Sequence, residues 1–152
     1  MGKMVRVMAT GTFDLLHIGH LYYLEEAKKL GDELIVVIAN DETVRKNKHN
    51  PVTPQEMRRK LVEALKPVDK AVIGYKNDFL KIVEEIKPDI IALGYDQKFD
   101  ENKIKNALKK RGLNIKIIRC SKYSGDDLNG TRKIIRKIAD MIDSKKLYKG
   151  EK

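Results

Sequence analysis

The chain has 152 residues, 41% hydrophobic and 36% charged, which is enough for one domain with a real core. It has no apolar run near the roughly 18 residues that span a bilayer, no apolar signal region at its start, and one cysteine, Cys120, which excludes an intramolecular disulfide; a cytoplasmic protein without membrane attachment is expected. The formal net charge of +10 is built from bases interleaved with acids (Glu25, Glu26, Lys28, Lys29; Lys81, Glu84, Glu85, Lys87), the pattern of solvated helix faces, and this argues against nucleic acid as the partner.

Residues 4–9 are an apolar run that predicts a buried first strand. The stretch Gly11-Thr12-Phe13-Asp14-Leu15-Leu16-His17-Ile18-Gly19-His20 follows, and then a helix over 21–30 with Leu21, Leu24, Ala27 and Leu30 at helical spacing. Gly31-Asp32 ends that helix, and residues 33–39 are near-continuously apolar, as a strand buried on both faces of a parallel sheet is. Asp41 is placed to cap a short helix, and a basic, polar loop over 45–50 leads to Pro51. Thr53 is the expected cap, with Pro54 in the first turn, of a helix over 55–65. Its spacing buries Met57, Leu61, Val62 and Leu65 and exposes Arg58, Arg59 and Lys60.

Pro67 stops that helix, and residues 70–75 form a third strand. Asp78 opens an amphipathic helix carrying Phe79, Ile82, Val83 and Ile86, closed at Lys87-Pro88. A fourth strand over 89–93 runs into the loop 94–99; a helix over 101–111 ends at Gly112, and a fifth strand covers 113–119. The polar loop 120–127 holds Tyr123 and Gly125, and a last helix runs over 129–142. One domain over residues 1–143 and a charged, frayed tail over 144–152 are expected. Strands alternating with helices predict a single doubly wound, Rossmann-like α/β domain, whose parallel sheet of five strands takes the order 3-2-1-4-5. Its switch point lies between strands 1 and 4, so the His17–His20 turn and the 94–99 loop face each other across one cleft.

The turn between the first strand and helix is where chemistry concentrates. A helix start carries unpaired N–H groups and the positive end of the macrodipole, an anion site for which phosphate is the usual ligand. His17 and His20, at i and i+3, project from one side of it. Gly11 is expected to let backbone approach a ligand, and Gly19 to leave room for one. Two histidines and one distant thiol do not make a zinc site, so no metal ligands are assigned.

The decapeptide, GTFD followed by HxGH, resembles the signature of the nucleotidyltransferase superfamily related to cytidylyltransferases. Such an enzyme aligns an attacking phosphate oxygen with the α-phosphorus of a nucleoside triphosphate and stabilises charge as pyrophosphate leaves. His17 and His20 would hold the triphosphate and donate to the transition state. Lys46 and Lys48 would close over the phosphates from a mobile loop, Lys46 making the main contact, and Arg58 would reach the β- or γ-phosphate. Arg132, with the helix start at Asn129–Thr131, offers a second anion site, and magnesium would bridge the phosphates. Asp14 is read as a brace of the turn rather than a base, and Cys120 as a small buried residue.

Beyond that motif, LGDELIVVIANDETV, EALKPVDKAVIG and PDIIALGYDQ look closest to the archaeal FAD synthases, which transfer AMP from ATP to FMN. The glycerol-3-phosphate cytidylyltransferases share GTFDLLHxGH but carry an RTEGIST-type segment before the last helix. This chain reads Arg119-Cys120-Ser121-Lys122-Tyr123-Ser124-Gly125 there, which counts against CTP. The resemblance implies ATP contacts at Thr12, Phe13, His17, Ile18, Gly19, His20, Asp96 and Tyr123; the anion site at Thr131 and Arg132 joins them as a further ATP contact. It implies a divalent cation with ATP, FMN as acceptor and a possible homodimer. The competing readings are a CTP enzyme forming CDP-glycerol, a pantetheine-phosphate adenylyltransferase, and a non-catalytic nucleotide- or RNA-binding module.

Overall fold

In the computed structural model, which describes residues 2–125 and 128–145, strand β1 (Arg6–Gly11) is the central member of a five-stranded parallel sheet. β2 (Glu33–Ile38) pairs along one edge of it from Arg6↔Glu33 to Gly11↔Ile38, and β4 (Ile90–Leu93) along the other from Val7↔Ile90 to Ala9↔Ala92. β3 (Lys70–Ile73) and β5 (Lys116–Arg119) complete the expected order β3-β2-β1-β4-β5. Alternate residues of a strand face opposite sides, so the sheet makes two cores. Val7, Ala9, Leu34, Val36 and Ala92 lie under Leu24 and Ala27 of α1 (Ile18–Lys28) and Val62 of α3 (Gln55–Glu63). Met8, Ile35, Val37, Ile91 and Leu93 lie under Ile82, Val83 and Ile86 of α4 (Phe79–Ile86) and Leu108 of α5 (Glu101–Lys110).

Several boundaries differ from the expected ones, each for a local reason. β1 runs on to Gly11 because its pairing with β2 does. Helix α2 (Asp41–Asn47) is capped by Asn40, whose Oδ1 accepts the Thr43 N–H at 2.9 Å; Asp41 is its first residue instead of its cap. Arg45 and Lys46 are therefore helical and not part of a loop. β5 starts at Lys116 because Leu113 is used to close α5: its N–H donates to the Leu108 carbonyl, and that of Gly112, at φ +73°, to Lys109. The last helix, α6, spans Thr131–Asp143. Residues 126–127 of the expected polar loop and 146–152 of the expected tail lie outside the described residues.

The largest departure is the face of α3. Arg58 is inside, 1% exposed, while Met57 and Leu61 are 48% and 45% exposed. Its guanidinium meets four acceptors: Nε donates to the Thr53 carbonyl (3.0 Å), Nη1 to those of Thr12 (2.7 Å) and Ala39 (2.9 Å), and Nη2 to the Asp41 carboxylate (2.6 Å). Thr53, the expected cap, turns its hydroxyl to Asp14 instead, and Pro54 takes the cap position without a side-chain bond. A buried cation is tolerated only when paired and hydrogen-bonded, and here those partners decide the helix's rotation.

Breaking a buried ion pair from one side costs about 3–5 kcal/mol. Arg58→Met is expected to lower stability by that order, read as a fall in the urea midpoint, whereas Met57→Ala on the exposed side stays within about 0.5 kcal/mol. Equal, small effects for both would show that the guanidinium does not hold the helix in place.

Candidate active site

At the carboxyl end of β1 the chain doubles back on itself. Phe13 has φ +56° and Leu15 φ +54°, and the Phe13 ring folds under the strand, buried against Tyr23 (centroids 6.4 Å apart, 9° between planes). A Cβ on Gly11 would lie 2.7 Å from that ring, so the glycine admits Phe13 and not, as expected, a ligand. Gly19 is likewise filled by protein: a Cβ there would sit 2.7 Å from the Asn129 carbonyl and 3.0 Å from the His17 ring. With its ring in the core, Phe13 has only backbone to offer a bound molecule, and the Thr12 carbonyl is already taken by Arg58.

His17 is the N-cap of α1. Its Nδ1 accepts the N–H groups of Gly19 (3.1 Å) and His20 (3.4 Å), and the His20 Nδ1 accepts the His17 N–H in return (3.3 Å). The result is a capping box made of two imidazoles, stacked with centroids 3.6 Å apart. An Nδ1 that accepts cannot carry the proton, so each neutral ring holds it on Nε2, the atom facing away from the helix backbone. Burial pushes the His20 pKa down to about 3, helped by the charges of His17 and Lys48 and opposed by Asp14. Burial also lowers His17, opposed by Asp96. Both rings are neutral donors at ordinary pH.

Three other segments wall this turn. Asp96 is exposed on the 94–99 loop, close enough for its charge to act on His17, so the predicted meeting of loop and turn across the switch point is present. The loop is held by two residues that no motif or spacing marks. Gln97 donates to the Thr10 carbonyl (2.7 Å) and accepts from the Gly94 N–H (2.8 Å). Arg119 gives Nη1 to the carbonyls of Gly94 (2.8 Å) and Gln97 (2.9 Å) and Nη2 to that of Phe99 (3.2 Å). At the same strand end the Thr10 hydroxyl is buried without a partner, the one such side-chain atom among the described residues.

The start of α6 forms the second wall. The Thr131 hydroxyl donates to the Asp14 carbonyl (2.7 Å), and the Gly130 cap contributes no side chain, so α6 brings its N-terminus beside that of α1. Arg132 is exposed next to it, and Tyr123 packs its ring against Tyr22 of α1 (5.3 Å). The third wall is the segment after α2. The Asp14 carboxylate accepts the N–H groups of Val52 (2.7 Å) and Thr53 (3.0 Å) and the Thr53 hydroxyl (2.6 Å), a brace as expected. Burial alone raises its pKa, but those bonds and the charge of Arg58 outweigh it and hold the carboxyl below its usual value.

The two lysines separate here. Lys48, at the end of α2, acts on His20, whereas Lys46, exposed within the helix, acts on Glu42. Arg58, committed to four protein acceptors, does not reach toward a phosphate; it positions the turn instead. Two helix N-termini and Lys48 give the pocket a positive field. Among the described residues no group of three or more His, Cys, Asp or Glu is arranged to hold a metal ion. An open cavity of about 710 Å³ lies over the ends of β2 and β3, lined by Asn40, Asp41, Arg45, Gly74, Tyr75 and Lys81 among others.

Residues 8–148 match the model of the family described as cytidylyltransferase-like. The chain is 59% identical over 140 residues to the FAD synthase of Aciduliprofundum boonei, covering 92% of this chain and 94% of that one. It is 54% identical over 139 residues to the FAD synthase of Thermoplasma acidophilum, covering 91% and 97%. Among solved structures, a protein of Thermoplasma volcanium described as a lipopolysaccharide core biosynthesis protein superposes with a TM-score of 0.79 at 53% identity, over 80% of this chain and all of that one.

The depressed histidine pKa makes a stability prediction. An unfolded His20 takes a proton below about pH 6.5, while the folded one stays neutral to about pH 3. The unfolded state binds more protons in that window, so stability is lost as pH falls, by up to about 1.4 kcal/mol per unit from this group. Asp14, lowered in the fold, adds to the loss only below its ordinary carboxyl range. Urea unfolding of wild type and His20→Asn at stepped pH is expected to show a shallower slope between pH 6 and about 4.5 in the variant. Parallel curves would mean that His20 is exposed and titrates normally.

Proposed function

The chain belongs to the cytidylyltransferase-like family, and on that footing we propose that it is an FAD synthase, transferring AMP from ATP to FMN and releasing pyrophosphate. The observation that carries this reading is the pair of Nε2–H donors on a turn where two helix N-termini converge. An FMN phosphate oxygen attacks the α-phosphorus, the bond to the bridging α–β oxygen breaks, and negative charge grows on that oxygen. The two imidazoles, neutral and fixed in tautomer by their own capping bonds, stabilise that charge without moving a proton. ATP would lie along the backbone of Thr12, Phe13, Ile18 and Gly19 and the side chains of His17 and His20. Asp96 and Tyr123 would flank the nucleoside, with Thr131 and Arg132 at the phosphate tail. A divalent cation, magnesium, would arrive with the triphosphate and offset its charge.

The FMN acceptor would lie in the open cavity over the ends of β2 and β3, where Tyr75 offers an aromatic ring. Tyr75 is pinned by its hydroxyl to both oxygens of Glu85 (2.8 and 2.9 Å), with the Lys81 ammonium 4.3 Å from its ring centre. A cytoplasmic setting belongs to the proposal, in keeping with a free thiol at Cys120; no described helix is long and apolar enough to cross a membrane.

Incubation with magnesium, ATP or CTP, and FMN or glycerol 3-phosphate tests the reaction directly. FAD and pyrophosphate are the expected products, and His17→Ala and His20→Ala are each expected to cut kcat by roughly 10²–10³, the size of a lost transition-state donor. CDP-glycerol as the main product, or RNA binding with no pyrophosphate release, would overturn the assignment. Within the same assay Lys48→Ala is expected to raise KM for ATP about tenfold, a loss of roughly 1.4 kcal/mol. Lys46→Ala is expected to change it less, and the reverse ranking would return the phosphate contact to Lys46.

A further inference from the structure

We propose that the Thr10 hydroxyl selects the acceptor, by hydrogen bonding to the hydroxyl-bearing arm that joins the FMN ring to its phosphate. The inference rests on the FAD synthase reading and adds to it a residue outside the GTFD and HxGH signature. It starts from a cost. The Thr10 side-chain oxygen is buried without a protein partner, the one such atom among the described residues. Its own backbone is already engaged: the N–H donates to the Tyr23 hydroxyl (3.2 Å), and the carbonyl accepts from the Gln97 amide (2.7 Å). A buried hydroxyl left unpaired carries its full desolvation penalty. Valine has nearly the same shape, no such penalty, and an equal liking for strands. Threonine is therefore the worse residue for the ligand-free fold, and its hydroxyl has a use only when a partner arrives from outside.

Position identifies the partner. Alternation along β1 puts the Thr10 side chain on the sheet face of Met8, under α4 and α5, and not on that of Ala9 under α1. On this face the strand register sets Thr10 beside Val37 of β2. Val37 in turn lies against Gly74, where a Cβ would come within 3.0 Å of it, and Gly74 lines the open cavity. Thr10, Val37 and Gly74 thus form a row across the carboxyl ends of β1, β2 and β3. The cavity stands at one end of the row and the histidine turn follows from the other. An acceptor with its ring in the cavity and its phosphate at the turn lays the connecting arm along this row. In FMN that arm is a ribityl chain, whose hydroxyls both donate and accept, and Thr10 has the one polar side chain of the three. Thr10 is 7% exposed, and rotation about χ1 moves its hydroxyl between staggered positions, so the group can turn to meet an arriving chain. An acceptor without hydroxyls on its arm leaves Thr10 unpaired, and that is the basis of selection.

Steady-state kinetics of Thr10→Val and Thr10→Ser, beside urea unfolding of the ligand-free proteins, test this. Thr10→Val is expected to raise KM for FMN about tenfold, the size of one lost hydrogen bond, and to leave KM for ATP within about twofold. Its urea midpoint is expected to equal or exceed that of wild type, because the unpaired hydroxyl is gone. Thr10→Ser keeps the hydroxyl and is expected to hold KM for FMN within about threefold of wild type. A flavin phosphate with hydrogen in place of the ribityl hydroxyls is expected to bind wild type and Thr10→Val alike in equilibrium dialysis. An unchanged KM for FMN in Thr10→Val would overturn the inference and leave FAD synthesis standing. A rise shared by Thr10→Ser, or weaker binding of the hydroxyl-free flavin by Thr10→Val, would also overturn it, because shape and not the hydroxyl would then be read. A lower urea midpoint for Thr10→Val would do the same, by showing the hydroxyl already satisfied in the ligand-free fold. No FAD from wild type would overturn both this inference and the reading it rests on.

Discussion

A guanidinium sealed inside the domain keeps the ligand end of the sheet in shape. Arg58 takes carbonyls from the turn after β1, the end of β2 and the approach to α3, and its charge is answered by Asp41. Asp14 does the converse from the other side of the same approach, accepting two amides and a hydroxyl. One cation and one anion therefore clamp the stretch around Thr53 between them. Neither touches the place where phosphate is expected, yet together they hold the backbone that would line it. This is preorganisation by polar groups in low dielectric, where each bond is stronger and each lost partner costlier.

Within that frame the histidines serve twice. Their Nδ1 atoms satisfy the first turn of α1, a purely structural task, and by doing so leave one kind of hydrogen-bonding atom to the cleft. The same burial that suppresses their charge suits them to donate rather than to shuttle protons. A lysine pair in their place would supply charge but not a fixed direction.

Much of this was legible in the order of residues. The apolar runs, the glycine and proline stops and the alternation of strand and helix led to the sheet order, and the spacing from GTFD to the histidines led to the turn. What escaped was long-range and polar. The period of α3 makes Met57 and Leu61 look buried, because a pattern of apolar residues cannot register that a charged one has better partners inside. Those partners stand up to 46 positions away along the chain. Gln97 and Arg119 escaped for the same reason: each is an ordinary polar residue until the fold brings it carbonyls to bind. Gly11 and Gly19 were recognised as tight positions, but the sequence does not say whether ligand or protein fills the space.

The central place of β1 sets a schedule on the ribosome. This strand is synthesised before its partners and completed late: β2 pairs with one edge early, but the other edge waits for residues 90–92. The bond from Gln97 to Thr10 spans 87 positions, and that from Thr131 to Asp14 spans 117. A nascent chain thus carries the histidine turn before its walls, beside an edge at Val7, Met8 and Ala9 that is still unpaired. Non-local closure of this kind slows folding, and open edges invite pairing with other chains. The turn after β1 therefore gains its full set of walls only once residue 131 has emerged.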